Sequence, residues 1–153
     1  MKKLAAILVL TFIYSCAWEN TNWTDPEYLG KWELVKTSGN MRNSEKTGTD
    51  MEFQETYQLK KDGSFIKTRI APNRTTEVEG TFSIEEEEST VPGESWRTVI
   101  KMEHEKKNSI IATCGSSLTE YLYFTTDDRM VSTWNACDGM GLEYKKADNQ
   151  KGK

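Results

Sequence analysis

The chain is short of the residues on which most enzymes depend. Among 153 residues it has one histidine, three cysteines and three prolines. It has no nucleophile elbow, P-loop, H-E-x-x-H pair or glycine-rich dinucleotide loop. One histidine and scattered thiols do not make a zinc ligand set, so neither a metal nor any other cofactor is expected. An excess of basic charge is missing too. The formal net charge of −4 argues against nucleic acid and against electrostatic attachment to anionic lipid. The N-terminal apolar run, Leu4 to Ile13, falls short of the roughly 20 residues that a membrane-spanning helix needs. No stretch keeps a long 3.6-residue period, and no repeat of solenoid length is visible. What the chain does have is aromatics: five Trp, six Tyr and five Phe in a sequence only 36% hydrophobic. Each buries a large area, so a modest core remains within reach.

Lys2 and Lys3 precede the apolar run, and small Ser15 precedes Cys16. A basic start, a short apolar stretch and a small residue before the cut describe an export signal, not a structural helix. No A-x-A cleavage site is present. Ile13-Tyr14-Ser15-Cys16 instead resembles the bacterial lipobox. That resemblance implies diacylglyceryl transfer to the Cys16 sulfur, cleavage before it and acylation of the new amino terminus. A plain exported protein, or an uncleaved N-terminal anchor, is the alternative. Each buried acyl CH₂ contributes about 0.8 kcal/mol, and stable anchoring takes more than one chain. A triacylated cysteine meets that requirement. The expectation is a leader over residues 1–15 and a protein moored to the bacterial envelope, on the outer membrane, with its domain outside the cytoplasm. Cleavage takes the formal charge from −4 to −6, since Lys2 and Lys3 leave and no acidic residue does. Residues 16–26 are polar and aperiodic and read as a tether, whose ten residues after Cys16 have an end-to-end distance of roughly 17 Å. Residues 148–153 read as a disordered tail.

Between them, over 27–147, the period is two. Trp32 and Leu34 alternate with Lys31 and Glu33; Met51, Phe53, Tyr57 and Leu59 share one face; Val78, Phe82 and Ile84 share another; Trp96, Ile100 and Met102 a third. Ser109–Cys114, Leu118–Thr125, Met130–Cys137 and Leu142–Lys146 complete the set. Turn residues punctuate these runs at Pro72-Asn73, Asp62-Gly63, Pro92-Gly93, Lys107-Asn108, Asp127-Asp128 and Asp138-Gly139. Alternation with close turn signals predicts an all-β sandwich or closed barrel of eight to nine antiparallel strands. Consecutive short hairpins favour an up-and-down barrel over a Greek key.

His104, among Glu103, Glu105, Lys106 and Lys107, is expected as an exposed strand-end residue, and Glu85–Glu88 as a solvated strand end. Glu55 is different, because it shares the apolar face of Phe53 and Tyr57. A two-residue loop at Asp62-Gly63 would set it opposite Ile70. A three-residue loop, Lys61-Asp62-Gly63 with Gly63 left-handed, sets Leu59 against Phe65 and Glu55 against Arg69. The second register gives a buried carboxylate its cation and is preferred, since an unpaired buried charge costs several kcal/mol. It also turns Lys67 inward beside Tyr57. These groups, with Trp96, are candidate ligand contacts; an internal salt bridge or a wet rim is the alternative.

Gly30-Lys31-Trp32 resembles the G-x-W of lipocalins. YQLKKDGSF and GTFSI resemble the second to fourth strands of bacterial lipocalin-like lipoproteins, and GLEYKK their last strand. The resemblance covers Tyr28 to Lys146. It implies a lipocalin-like barrel whose base is packed by Gly30 and Trp32 under a basic residue from the last strand, Lys145 or its neighbour Lys146, with Lys145 the first choice. Thr119-Glu120-Tyr121 is similar to another motif of the family, T-D-Y. The family's helix after the eighth strand has no counterpart, since only Asp138–Gly141 lies there.

Cys114 and Cys137 remain once Cys16 is acylated, an even number in an exported chain. A two-residue loop at Asp127-Asp128 would place Cys137 opposite Leu118, four residues from Cys114 and within bridging reach. A disulfide is expected, with two buried thiols as the alternative. Together these readings point to a non-enzymatic, lipid-anchored barrel that binds a small apolar or amphipathic molecule. The rival is a filled barrel that binds an envelope protein, or inhibits an enzyme, through loops such as Gly39–Asp50 and Ser89–Ser95.

Overall fold

A computed structural model describes residues 27–89 and 96–148. The leader, Cys16, the tether, the tail beyond Asp148, most of the Ser89–Ser95 loop and the side chain of Trp96 lie outside the described residues. Nine strands follow one another: β1 Gly30–Ser38, β2 Lys46–Thr47, β3 Gln54–Leu59, β4 Ser64–Ala71, β5 Arg74–Glu88, β6 Trp96–His104, β7 Thr119–Phe124, β8 Arg129–Ser132 and β9 Gly141–Lys146. From β3 on, each pairs antiparallel with the next, and β1 pairs with both β3 and β9. The result is the expected up-and-down barrel: eight strands closed on themselves. The short β2 is laid against the far half of β1, opposite Lys36 and Thr37.

Alternation decides what faces in. Leu59 on β3, Phe65 on β4, Phe82 and Ile84 on β5, Ile100 and Met102 on β6, Leu122 on β7, Met130 on β8 and Leu142 on β9 form one core with Trp32 and Leu34. Their chain neighbours, such as Lys31, Thr81 and Glu103, stay at the surface. On β1 a register shift between Leu34 and Lys36 reverses the parity, so that Thr37 is buried and Lys36 points out to Glu143 at 2.7 Å. Gly80 marks a close approach: a Cβ there would lie 2.0 Å from the Glu103 carbonyl oxygen and 2.9 Å from the Phe65 ring.

The β3–β4 hairpin adopts the preferred register, with Leu59 opposite Phe65 and Glu55 opposite Arg69. Gly63 takes φ +79°, where any other side chain would be strained. The β7–β8 hairpin corrects its expectation. Leu122 faces Ser132 and Phe124 faces Met130, one residue away from the two-residue alignment. Asp128 adopts a left-handed φ of 58°, which an aspartate tolerates, and that adds the third loop residue.

Two expected strand segments are not strands. Residues 109–114 run as irregular chain with Ile110, Ile111 and Ala112 buried. Their donors are satisfied locally: the Ile110 and Ile111 amides donate to the Asn108 side chain and carbonyl. Beyond Ser132 the chain leaves the sheet. Ser132 Oγ accepts from the Trp134 amide at 3.1 Å, and Trp134–Cys137 forms a 3-10 turn. Cys114 and Cys137 are joined as expected, with Cα atoms 5.8 Å apart. Because residues 109–114 and those beyond Ser132 lie outside the sheet, the bridge spans two irregular segments instead of the expected strand pair.

Up-and-down order gathers the connections at two ends. One end holds the entry to β1, the 60–63 and 125–128 turns, the end of β5, the start of β6 and the exit of β9. The other holds residues 39–53, the Pro72-Asn73 turn, the 105–118 segment and the disulfide.

Candidate functional site

Two places carry chemistry: the polar centre of the barrel, and a cavity at the end where the described chain begins and finishes.

Inward parity on β3 and β4 brings Glu55, Tyr57, Lys67 and Arg69 together, as the register implied. The sequence reading missed the groups that complete them. Lys67 is fully buried; its Nζ lies 3.2 Å from Glu55 Oε1 and donates at 2.7 Å to Glu120 Oε1 on β7, across the interior. Arg69 Nε donates to Glu55 Oε2, and its guanidinium stacks on Phe53 at 3.9 Å. The Tyr144 hydroxyl donates to Glu55 Oε1 at 2.5 Å, and the Tyr57 hydroxyl to Glu120 Oε2. The Ala112 amide, in the irregular segment, also donates to Glu120. Two carboxylates thus meet two cations and two phenols. Burial alone would raise the Glu120 carboxyl, but the Lys67 ammonium and His104 beside it hold it down to about 2. Burial first, then the neighbouring carboxylates, push both phenols well above their usual 10, so they stay donors.

His104 corrects its expectation. It is buried, with Nε2 3.3 Å from Glu120 Oε2 and its ring edge-on to Phe65 at 5.0 Å; neither ring nitrogen meets hydrogen-bond geometry. The signal was available in the sequence: Ile100, Met102 and His104 share a parity. Glu120 could have been found the same way, two residues before buried Leu122. Among the described residues no three His, Cys, Asp or Glu side chains are grouped to hold a metal ion. Glu85, Glu86 and Glu88 are exposed, as expected of a solvated strand end.

At the end where the described chain begins and finishes, buried Trp32 donates from Nε1 to the Tyr28 carbonyl at 2.9 Å. Phe124 packs against Tyr28 at 4.6 Å and Trp32 at 5.4 Å, ring centre to ring centre. The cation over Trp32 is Lys146, 6.0 Å from the ring, with Nζ donating to the Glu27 carbonyl at 2.6 Å. Lys145 does not take that place. β9 faces Leu142, Tyr144 and Lys146 inward, so Lys145 is exposed on the outer side opposite Glu33. Gly30 opens β1 beside the Lys146 stem. Around these aromatics lies an open cavity of 680 Å³, rimmed by Arg97, Arg129 and Lys145 and by the Asp127-Asp128 turn. A smaller one of 360 Å³ at the opposite end is lined by Met41, Phe53 and Met140.

No protein-family model matches the chain, and no curated protein or solved structure matches it closely enough to mark a relative.

Proposed function

We propose that this is a non-enzymatic, lipid-anchored protein of the bacterial envelope that binds a small amphipathic molecule at the tether-side end of its barrel. The supporting observation is the contrast between the two places just described. The interior polar groups are directed at one another and lie under a packed core, whereas the end cavity is open and floored by aromatics. Its 680 Å³ falls within the roughly 300–1,000 Å³ of ligand sites, and its lining joins three aromatics to a mostly polar and charged wall, which suits an amphipathic ligand over a purely apolar one. Glu55, Tyr57, Lys67 and Arg69 then hold the scaffold together, and contact falls to Tyr28, Trp32 and Phe124. A charged exterior around an apolar interior suits a domain in water and is the inverse of a membrane-spanning barrel. Mooring through Cys16, on the lipobox resemblance, supplies the location.

Mass spectrometry of organic extracts from the purified full-length protein tests this. One consistent amphiphile recovered from the wild type and lost from Phe124→Glu is the expected result. Recovery unaffected by Phe124→Glu but abolished by a change at the opposite end would sink it.

A second reading is favoured by one feature. Met41 is 80% exposed beside the smaller cavity, and exposed methionine suits a protein-binding surface. Empty extracts, together with a partner cross-linked at residue 41, would favour that filled-barrel adaptor.

A further inference from the structure

The end cavity has charges of both signs along its outer lip and aromatics at its floor. We propose that it takes the head of one zwitterionic phospholipid, amine and phosphate together, from the leaflet that holds the anchor. This rests on the anchored, end-binding reading above and names its ligand class.

The cations stand on the outer lip of the rim, on three strands, since Arg129 alternates with inward Met130, Lys145 with inward Tyr144, and Arg97 lies out of step with inward Ile100. Arg129 on β8 pairs in register with Lys145 on β9, and Arg97 lies at the start of β6. Their existing ion pairs are long, and Arg97 also lies over the Tyr123 ring at 5.2 Å. Arg129 Nε is 3.9 Å from Glu143 and 4.0 Å from Asp127, and an Arg97 Nη is 3.6 Å from Glu87. The buried Arg97 Nε has no hydrogen-bond partner among the described residues. Guanidinium groups with spare donors suit phosphate oxygens. Asp127 and Asp128 stand on the turn between them, exposed, with Asp127 accepting from Thr125 at 2.6 Å. An ammonium has carboxylates there and the aromatic faces of Tyr28 and Phe124 close by.

The two signs on one rim select against simpler ligands. A purely anionic head would meet both aspartates, and a purely cationic one the arginines. A head carrying both charges leaves neither set opposed. Placement supplies the source. Glu27, where the described chain begins, lines the cavity. A ten-residue tether of roughly 17 Å would hold that cavity within reach of the headgroup layer.

Native mass spectrometry of the full acylated chain, extracted into nonionic detergent, tests the proposal. Equal amounts of phosphatidylethanolamine, phosphatidylglycerol and free glycerophosphoethanolamine would be added. One phosphatidylethanolamine per chain, preferred over phosphatidylglycerol by roughly tenfold, is expected, each tenfold being about 1.4 kcal/mol. Arg129→Gln should lower that binding. The exposed double change Asp127→Asn with Asp128→Asn should shift the preference toward phosphatidylglycerol. Equal uptake of both lipids, or no lipid at all, would overturn it. Binding of the free headgroup as strong as that of the lipid would overturn the membrane source. The intact mass in the same spectrum reads the acyl chains separately, so a failed anchor is told apart from a failed cavity.

Discussion

Lys67 has no water to fall back on. Its ammonium is fully buried between Glu55 and Glu120, 3.2 and 2.7 Å away. Replacing both partners of such a pair with apolar groups can be nearly neutral, but removing one strands a charge. Lys67→Met is therefore expected to lose about 3–5 kcal/mol in urea unfolding, far more than loss of an exposed cation such as Lys31. Acid should find the same weakness. The folded Glu120 carboxyl sits at about 2, against an ordinary 4.5. As pH falls, the unfolded chain takes up that proton first, so unfolding gains on folding. The Glu120 contribution is complete above pH 4.5 and drains away toward pH 2. Melting curves across that window should show the loss, and Glu120→Gln should flatten it. Sequence reasoning reached half of this cluster. Glu55 stood out because a carboxylate on an apolar face needs a cation, and the hairpin rule supplied Arg69. Glu120 and Tyr144 come from strands far along the chain, and only barrel closure brings them to Glu55 and Lys67. His104 was lost for another reason: its charged neighbours along the chain concealed its inward parity.

At the scale of elements, the strands follow alternation and the departures follow local hydrogen bonding. Residues 109–114 look like a strand by composition, yet Asn108 takes the first amides and Glu120 takes the Ala112 amide. That segment is pinned by the Cys114–Cys137 bridge, which links positions 23 residues apart. Closing a loop of that size stabilises by about 3 kcal/mol on the entropic model. Both cysteines are exposed, so a mild reductant should reach them. The Cys114→Ser, Cys137→Ser double variant is expected to unfold about 3 kcal/mol more easily. Hydrogen exchange should quicken first at the Ala112 amide; uniform quickening across all strands would contradict this local role. The β7–β8 turn shows the limit of reading loops from residue type. Two aspartates suggest a two-residue hairpin, but one left-handed aspartate adds a third residue and moves the register by one. Lys145 and Lys146 show the same limit at one position: a single step along β9 exchanges the outer side for the place above Trp32.

For the whole molecule, closure has consequences that no single strand carries. The Lys67–Glu120 ion pair crossing from β4 to β7, with the groups around it, fills the middle of the barrel, so an eight-strand shell that could hold a small ligand is occupied by its own side chains. Openness is left to the ends. The end where the described chain begins and finishes gathers Tyr28, Trp32 and Phe124 within one cavity. An aromatic-rich, all-β domain was readable from period and composition, and the closely spaced turns favoured its closure into a barrel. A cavity at one end was not, because it depends on which connections share that end and how far each strand runs. The most direct test is amide and indole NMR of the full-length protein while a short-chain phosphoethanolamine lipid is added below its micelle concentration. The expected result is shifts at Tyr28, the Trp32 indole, Arg97, Phe124 and Arg129, with Glu55, Lys67, Glu120 and Tyr144 unmoved. Shifts centred on those four interior residues, with the end silent, would contradict the filled barrel and its end site together.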